Sequence, residues 1–382
     1  MSFKTTTLGI LGGGQLGKML IQEAVNLNLE LFVLDPDQHA PCKHLVKHFT
    51  CGSLQDFNTV YHFGKQVEVL TIEIEHVNVE ALFKLEEEGV KVYPQPKVLQ
   101  MVQDKGAQKL FYHENNIPTP AFFLTNNKAE SHHIWEHHGK AFMQKLRKGG
   151  YDGKGVTKLG NDNDNDFDAA FDAPSVMEQL VDFKKEIGVI VARNNNGEIA
   201  VYDVVEMDFN PQQNLVEFLQ MPANVSDSVA KKAKEIALKI AEKAGIVGIL
   251  AVEMFLTQDD EILVNEIAPR AHNSGHQTIE GCRTSQYAQH LRAILNLPLG
   301  NTACHTPSIM VNLLGEAGKT GEAFYEGLED VMKLPNVYVH LYGKKITKPF
   351  RKMGHATILH ENVEEAIKNA RLVQSTLKVT SL

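Results

Sequence analysis

The chain is short of the residues and patterns that mark several function classes. Four cysteines, Cys42, Cys51, Cys282 and Cys304, show neither Cys-x-x-Cys pairing nor zinc-ligand spacing, and they are too few to staple 382 residues. A disulfide scaffold is thereby excluded, and a reducing, cytoplasmic setting is expected. No apolar run approaches the roughly 18 residues that cross a bilayer, and Met1-Ser2-Phe3-Lys4-Thr5 opens no apolar leader. Neither a secretion signal nor a membrane anchor is expected. Basic excess is absent too: 38 Lys and Arg against 47 Asp and Glu leave a formal charge of −9. That balance argues against a nucleic-acid surface, so any bound phosphate must be met by local groups. There is no internal repeat, and the one low-complexity patch, Asn161 to Asp166, is a short solvated stretch.

What remains is a globular composition, 43% hydrophobic, in a length that suits two or three domains. Apolar runs at Thr5 to Leu11, Glu30 to Leu34 and Val67 to Ile72 alternate with helical spacing such as Lys18 to Asn28, which predicts a small parallel α/β domain over 1–100. Pro94-Gln95-Pro96 should end it, with a helix-like stretch from Val98 to Asn115 beyond. A small α+β lobe is expected over 101–182, with strands at Ala141 to Lys145 and Val176 to Gln179. A larger lobe follows over 183–382. It opens on a hairpin at Asn194-Asn195-Asn196-Gly197 and carries a helix over Ser228 to Ala244 that stops at Gly245.

Three segments carry candidate chemistry. Gly12, Gly14 and Gly17 form G-x-G-x-x-G between a strand and a helix, with Asp35 closing the next strand. The pattern suits a dinucleotide, and equally any phosphate or carboxylate at a helix N-terminus, or a tight structural turn. Next, two apolar strands, Gly248 to Leu256 and Glu261 to Ile267, each carry an acid. With the turn centred between Asp259 and Asp260, Glu253 faces Glu266. Opposed carboxylates repel unless a cation joins them, and oxygen-only ligands suit magnesium; the alternative is a solvated edge hairpin. Asn265 extends the polar cluster if the strand bulges. Finally, Lys145 leads into Gly149-Gly150-Tyr151-Asp152-Gly153-Lys154-Gly155, a loop able to wrap a polyphosphate in its amides, or else an exposed basic hairpin. It is not a Walker A loop.

Lys105, Lys145, the glycine loop, Glu178-Gln179-Leu180-Val181, Glu186, Glu253 and Asn265-Glu266 follow one another in the order of an ATP-grasp enzyme. Over essentially its whole length the chain resembles the N5-carboxyaminoimidazole ribonucleotide synthetase family. Its most specific pieces are Gly12 to Gly17, Gly149 to Gly155, Asn265 to His276 and Arg351 to His355. The resemblance implies an ATP-grasp fold, α/β and α+β, with an N-terminal Rossmann-like pre-ATP-grasp domain, usually as a homodimer. It implies ATP and magnesium as cofactors, with manganese as a substitute.

By the same resemblance, adenine meets Glu178, Gln179, Leu180 and Val181, and the ribose meets Glu186. Phosphates meet Lys105, Lys145, Gly150, Tyr151, Asp152, Gly153, Lys154 and Gly155, with Asn265 and Glu266 beside the nucleotide; Glu253 and Glu266 hold the metal. Aminoimidazole ribonucleotide is expected against Gly14, Gln15, Leu16, Tyr151, Asp152, His272, Asn273, Ser274, Lys344, Arg351 and Lys352. Two positions depart from the family pattern: Phe209 where it has His, and Phe350 where it has Gly.

His272 and His276 have helical zinc-ligand spacing, but Asn273-Ser274-Gly275 is poor helix material, so a polar loop for a phosphosugar is the better reading. Lys344, Lys345, Lys348, Arg351 and Lys352 form a basic cluster suited to a phosphate monoester, or else a solvated basic loop. The histidines at 132, 133, 137 and 138 receive no role.

The chemistry so implied carboxylates an amine. Bicarbonate is a poor electrophile, and phosphoryl transfer from ATP turns one oxygen into a leaving group, giving carboxyphosphate. Lys145 stabilises the transferring group, Asp152 manages the amine proton, and Lys344 and Arg351 orient the substrate. Alternatives are a different ATP-grasp carboxylate–amine ligase, a nicotinamide-dependent dehydrogenase built on the N-terminal glycines, and a non-catalytic nucleotide sensor.

Overall fold

A computed structural model describes residues 5–150, 155–160, 166–210 and 215–381. The N-terminal part is a five-stranded parallel sheet in the order His48–Cys51, Glu30–Asp35, Thr7–Leu11, Val69–Ile72, Lys91–Tyr93. Its central strand buries Leu8, Ile10 and Leu11 completely, because helices cover both faces of a parallel sheet and leave no polar side. The helix Gln15–Asn26 starts directly after the glycine run.

A four-stranded antiparallel sheet follows, ordered Phe122–Thr125, Ser175–Gln179, Phe142–Leu146, Val156–Leu159. The remainder is dominated by a nine-stranded sheet running Ile262–Ala268, Gly248–Thr257, Phe183–Arg193, Val205–Asn210, Leu215–Met221, Ser308–Leu314, Lys352–Leu359, Val337–Leu341, with Ile199–Val201 paired at the side. The C-terminal strands therefore extend the sheet that carries the carboxylate hairpin. The long helix Asp227–Ala244 packs on it through Val229, Ala233, Ile236, Ala237 and Ile240, one helical face. Ser226 caps its first turn, and Gly245 ends it at φ 62°, where a side chain would be strained.

The stretch predicted as one helix from Val98 to Asn115 is two. The chain breaks between Pro96–Val102 and Lys105–Glu114 because Asp104 leaves the helical conformation and accepts from the amides of Gly106 and Ala107. The same carboxylate takes both Nε (2.9 Å) and Nη2 (2.7 Å) of Arg147 from the small sheet. The new helix brings Lys105 to Glu266 of the large sheet and Lys109 to the buried Glu178 of the small one.

Burial pushes the Asp104 carboxyl upward, but Arg147 and the two amides override it and hold the group below its ordinary value. The stability it adds is present above the ordinary carboxylate value, about 3.9, and is lost as pH falls through the lowered one. Asp104→Ala is therefore expected to cost about 1–3 kcal/mol at neutral pH in urea melts, with the two proteins converging in acid.

Candidate active site

Glu253 and Glu266 face each other across adjacent strands as expected, but by a different route. The turn is centred on Asp259, so the register beside it runs one residue off the expected one: Thr257 N–H donates to the Glu261 carbonyl at 2.9 Å, and Asp260 takes a left-handed φ of 62°. From Leu256 to Met254 the register follows that turn. A bulge at Asn265 then inserts one residue, which restores the pairing of Glu253 with Glu266.

The bulged Asn265 turns its Oδ1 onto the Lys145 ammonium at 2.9 Å. Lys105 reaches Glu266 Oε2 at 2.5 Å. Burial, then the Glu266 and Glu186 charges, push the Glu253 carboxyl up to about 8. Burial also works against Glu266, yet Lys105 and Lys145 outweigh it and hold that group near about 2. One proton or one cation is thus called for between the two acids.

Among the described residues no three His, Cys, Asp or Glu side chains cluster as a metal cage. Two opposed carboxylates with the remaining positions left to phosphate and water is the donor set that magnesium takes in nucleotide sites, so the residues present fit that ion.

Behind this pair lies a charged knot that the sequence reading missed. Glu178, predicted beside adenine, points instead into the interior, where Lys145 (2.9 Å) and Lys109 (3.2 Å) hold its two oxygens. Lys109, 2% exposed, also donates to Thr119 Oγ1 at 2.7 Å. Burial pulls its ammonium down to about 8 against the opposing pull of Glu178. The available signal was the four-residue spacing from Lys105, which sets both lysines on one face of a helix.

Gln179, Leu180 and Val181 do line a cleft of about 300 Å³, together with Pro120, Ala121 and Leu263. Glu186 stands on the neighbouring strand, its carboxyl raised to about 7 by burial. Gly149 and Gly155 adopt φ of 80° and 72°, at the base of the basic loop. Tyr151, Asp152, Gly153 and Lys154 lie outside the described residues, as does the Phe209 side chain.

On the other wall, the N-terminal amides are already engaged. Gly14 and Gly17 donate to the Glu73 carboxylate (2.7 and 2.6 Å), and Gly13 donates to Asp35 (2.6 Å). Leu16 packs against the core beside them. An anion does sit at this helix N-terminus, but it belongs to the chain. Asp35, spent on the loop, is not presented to a nicotinamide ribose. Glu73 and Glu75, the latter 2.8 Å from Arg270, were not singled out in the sequence. Their signal was two acids at the carboxyl end of a parallel strand, where open α/β sheets bind ligands.

His272 stands beside the carboxylate pair: its Nε2 lies 3.1 Å from Glu253 Oε1, while Nδ1 meets Ser274 Oγ at 2.9 Å and accepts from the Ser274 amide. Burial, Arg270 and Lys352 drive its basicity down to about 3, so the ring is neutral and its proton sits on Nε2, facing Glu253. Ser274 is 1% exposed and props this ring. Asn273 Oδ1 is buried without a hydrogen-bond partner among the described residues.

Lys344 Nζ donates to the Lys352 carbonyl (2.7 Å) and Arg351 Nη1 to that of Ile346 (2.6 Å), so both rest on the backbone of the C-terminal strands. Phe350, where the family pattern has Gly, adopts a left-handed φ of 62°, with its N–H bonded to the Gly315 carbonyl at 2.8 Å. A left-handed non-glycine residue costs about 1–2 kcal/mol.

Family models match three consecutive stretches: a ribonucleotide synthetase preATP-grasp domain over residues 5–103, an ATP-grasp domain over 110–287 and a phosphoribosylaminoimidazole carboxylase C-terminal domain over 308–369. The N5-carboxyaminoimidazole ribonucleotide synthase of Brucella melitensis is 34% identical over 92% of this chain and 96% of its own. The chain belongs to the N5-carboxyaminoimidazole ribonucleotide synthase family.

The crystal structure of the Thermotoga maritima synthetase superposes with a TM-score of 0.91 at 41% identity, covering 99% of this chain and 100% of that one. The Aspergillus clavatus synthase in complex with ADP and 5-aminoimidazole ribonucleotide gives 0.88 at 35%, covering 97% and 98%. The chain spans about two thirds of the length of the phosphoribosylaminoimidazole carboxylases of Vigna aconitifolia and Candida albicans, 66% and 65%, at 38% and 36% identity. Within the synthase family frame, the hairpin, the lysine knot and the His272 segment occupy the junction of the ATP-grasp sheets.

Two substitutions separate the charged parts. Lys109→Met leaves Glu178 half-paired in the interior and is expected to cost about 3–5 kcal/mol, part of which returns when Glu178→Gln is added, as chemical unfolding would read. Glu253→Gln removes the repelling charge. In the cation-free fold Glu253 keeps a proton that the unfolded chain gives up above about 4.3, so stability falls as pH rises from there to about 8 and levels off beyond. The variant should gain on wild type from pH 6 to pH 9, by on the order of 1–2 kcal/mol, in melts run with a chelator.

Proposed function

We propose that this chain carboxylates 5-aminoimidazole ribonucleotide with bicarbonate, consuming ATP and releasing ADP and phosphate, to give N5-carboxyaminoimidazole ribonucleotide for purine synthesis. The observation that carries the reading is the convergence on one groove of Lys105, Lys145, the opposed Glu253 and Glu266, and the neutral His272. The first four make a phosphoryl-transfer site. His272 joins that site to the polar segment 272–274 at 3.1 Å.

Adenine sits in the cleft at Gln179 to Val181, with ribose toward Glu186. Lys145, held between Glu178 and Asn265, presents a fixed positive charge to the transferring phosphoryl group; it costs no reorganisation during the reaction. Lys105 accompanies Glu266 in the same role. Magnesium, or manganese, bound by Glu253 and Glu266 would neutralise phosphate charge there.

Phosphoryl transfer to a bicarbonate oxygen creates carboxyphosphate. The amine then forms the C–N bond as phosphate leaves, and Asp152 takes the amine proton on sequence grounds. Lys344, Arg351 and Lys352 meet the substrate phosphate. The units 1–100, 101–182 and 183–382, a cytoplasmic setting and a homodimer belong to the same proposal. The outer C-terminal strands leave Phe324 (44%), Tyr338 (42%) and Ile346 (43%) exposed, apolar surface available to a second copy.

ADP release with ATP, magnesium and bicarbonate should rise strongly when 5-aminoimidazole ribonucleotide is added. Lys145→Ala and Asp152→Asn should each lower the stimulated rate by about 100-fold or more. Stimulation by a different acid or amine instead would keep the ATP site and discard the purine substrate.

A further inference from the structure

Cys282 and Cys304 lie outside the groove, and nothing in the proposed reaction uses them. Cys282 follows the short helix Thr278–Gly281, and Cys304 lies in the segment that leads into the strand Ser308–Leu314. The two residues form an isolated antiparallel bridge. The Arg283 N–H donates to the Ala303 carbonyl at 3.1 Å and the His305 N–H to the Gly281 carbonyl at 2.9 Å. Bonds that flank a pair in this way define a non-hydrogen-bonded position, where the Cα atoms stand about 4.5 Å apart and the side chains are closest. That spacing falls within the roughly 4.4–6.8 Å a disulfide spans.

The side chains point toward each other. Directly opposed residues of an antiparallel pair share one face, the two thiols shift each other's acidity, and Cys304 Sγ donates to the Thr306 carbonyl at 3.2 Å. Both thiols are free. Cys304 is half-buried, while Cys282 is 6% exposed, so a reagent in solution meets Cys304 first. The neighbouring Cys282 thiol lowers the Cys304 thiol below its ordinary value, against burial and Asp203, and Cys304, then burial, raises Cys282. The division of labour between attacking and resolving sulfur follows from exposure and is reinforced by this asymmetry.

We propose that Cys282 and Cys304 are a reversible thiol–disulfide modification site that reacts with low-molecular-weight disulfides such as oxidised glutathione. The Cys304 thiolate attacks one sulfur of the reagent, forming a mixed disulfide and expelling one glutathione thiolate, which takes up the proton Cys304 lost. Cys282, as thiolate, then attacks the Cys304 sulfur and expels the second glutathione. Two protein thiols are oxidised and one reagent disulfide is reduced to two thiols. The product ties the segment after the His272 turn to the entry of the C-terminal strands.

The test uses the full chain carrying Cys51→Ser, which removes the exposed thiol. After native incubation with excess oxidised glutathione, free thiols are alkylated in denaturant and peptides are mapped without reduction. The expected result is a peptide pair linked through Cys282 and Cys304, reversed by a reduced dithiol, with the melting midpoint rising by about 2–6 °C on oxidation. In Cys282→Ser the reaction should stop at one glutathione on Cys304. Alkylated Cys282 beside a stable adduct on Cys304, or both cysteines alkylated, would overturn the proposal. So would an unmodified Cys304 in the folded Cys282→Ser chain.

Discussion

Two carboxylates held face to face on neighbouring strands are the constraint around which the rest of this molecule is arranged. Glu253 and Glu266 repel, and a sheet does not tolerate like charges opposed on one face without compensation. Compensation comes from elements far apart in the chain: Lys105 from a helix start, Lys145 from the small sheet, and Asn265 from the bulge itself. Each of these is in turn fixed by something else. Asp104 breaks the helix and binds Arg147, which orients Lys105, and Lys109 with Glu178 anchors Lys145. The small lobe is thus fastened to the large one by alternating charge, and the fastening ends at the place where phosphates would add more negative charge.

The opposite wall follows a different logic. A glycine-rich turn at a helix N-terminus is an anion seat, and here the chain supplies Glu73 to the amides of Gly14 and Gly17, with Asp35 on Gly13. Burial raises both carboxyls, against the amides that hydrogen-bond to them. The pattern that spells a dinucleotide fingerprint in isolation becomes an internal joint, which brings Glu73 and Glu75 to the edge of the groove near Arg270.

Much of this was legible in the sequence, because it depends on local rules. The parallel strands, the capped helix ending at Gly245 and the Asn194 turn all follow from periodicity and turn chemistry, and the structure has each of them. The hairpin acids were found because charge inside a greasy strand is conspicuous. Asp104 was lost because a capping aspartate in the middle of a helical pattern reads as a surface residue until its amides and Arg147 are seen together. Lys109 was lost because its partners, Glu178 and the Asn265 bulge, are distant in sequence and nothing local shows that an interior carboxylate awaits it. Glu178 itself was placed by order along the chain, which fixes the strand but not that its side chain turns toward Lys109 and Lys145.

The bulge at Asn265 separates two lengths that a plain hairpin would couple. In a regular ladder the number of residues in the turn decides which side of the sheet every later side chain occupies, since adjacent positions alternate. Here the extra residue acts as a phase shifter: residues on the turn side keep one parity and those on the far side keep the other. Pairing that residue regularly would leave both strands, both acids and the turn in place, yet it would set Asn265 opposite Glu253 and carry Glu266 to the other side of the sheet. The composition of the site would be intact and its geometry gone.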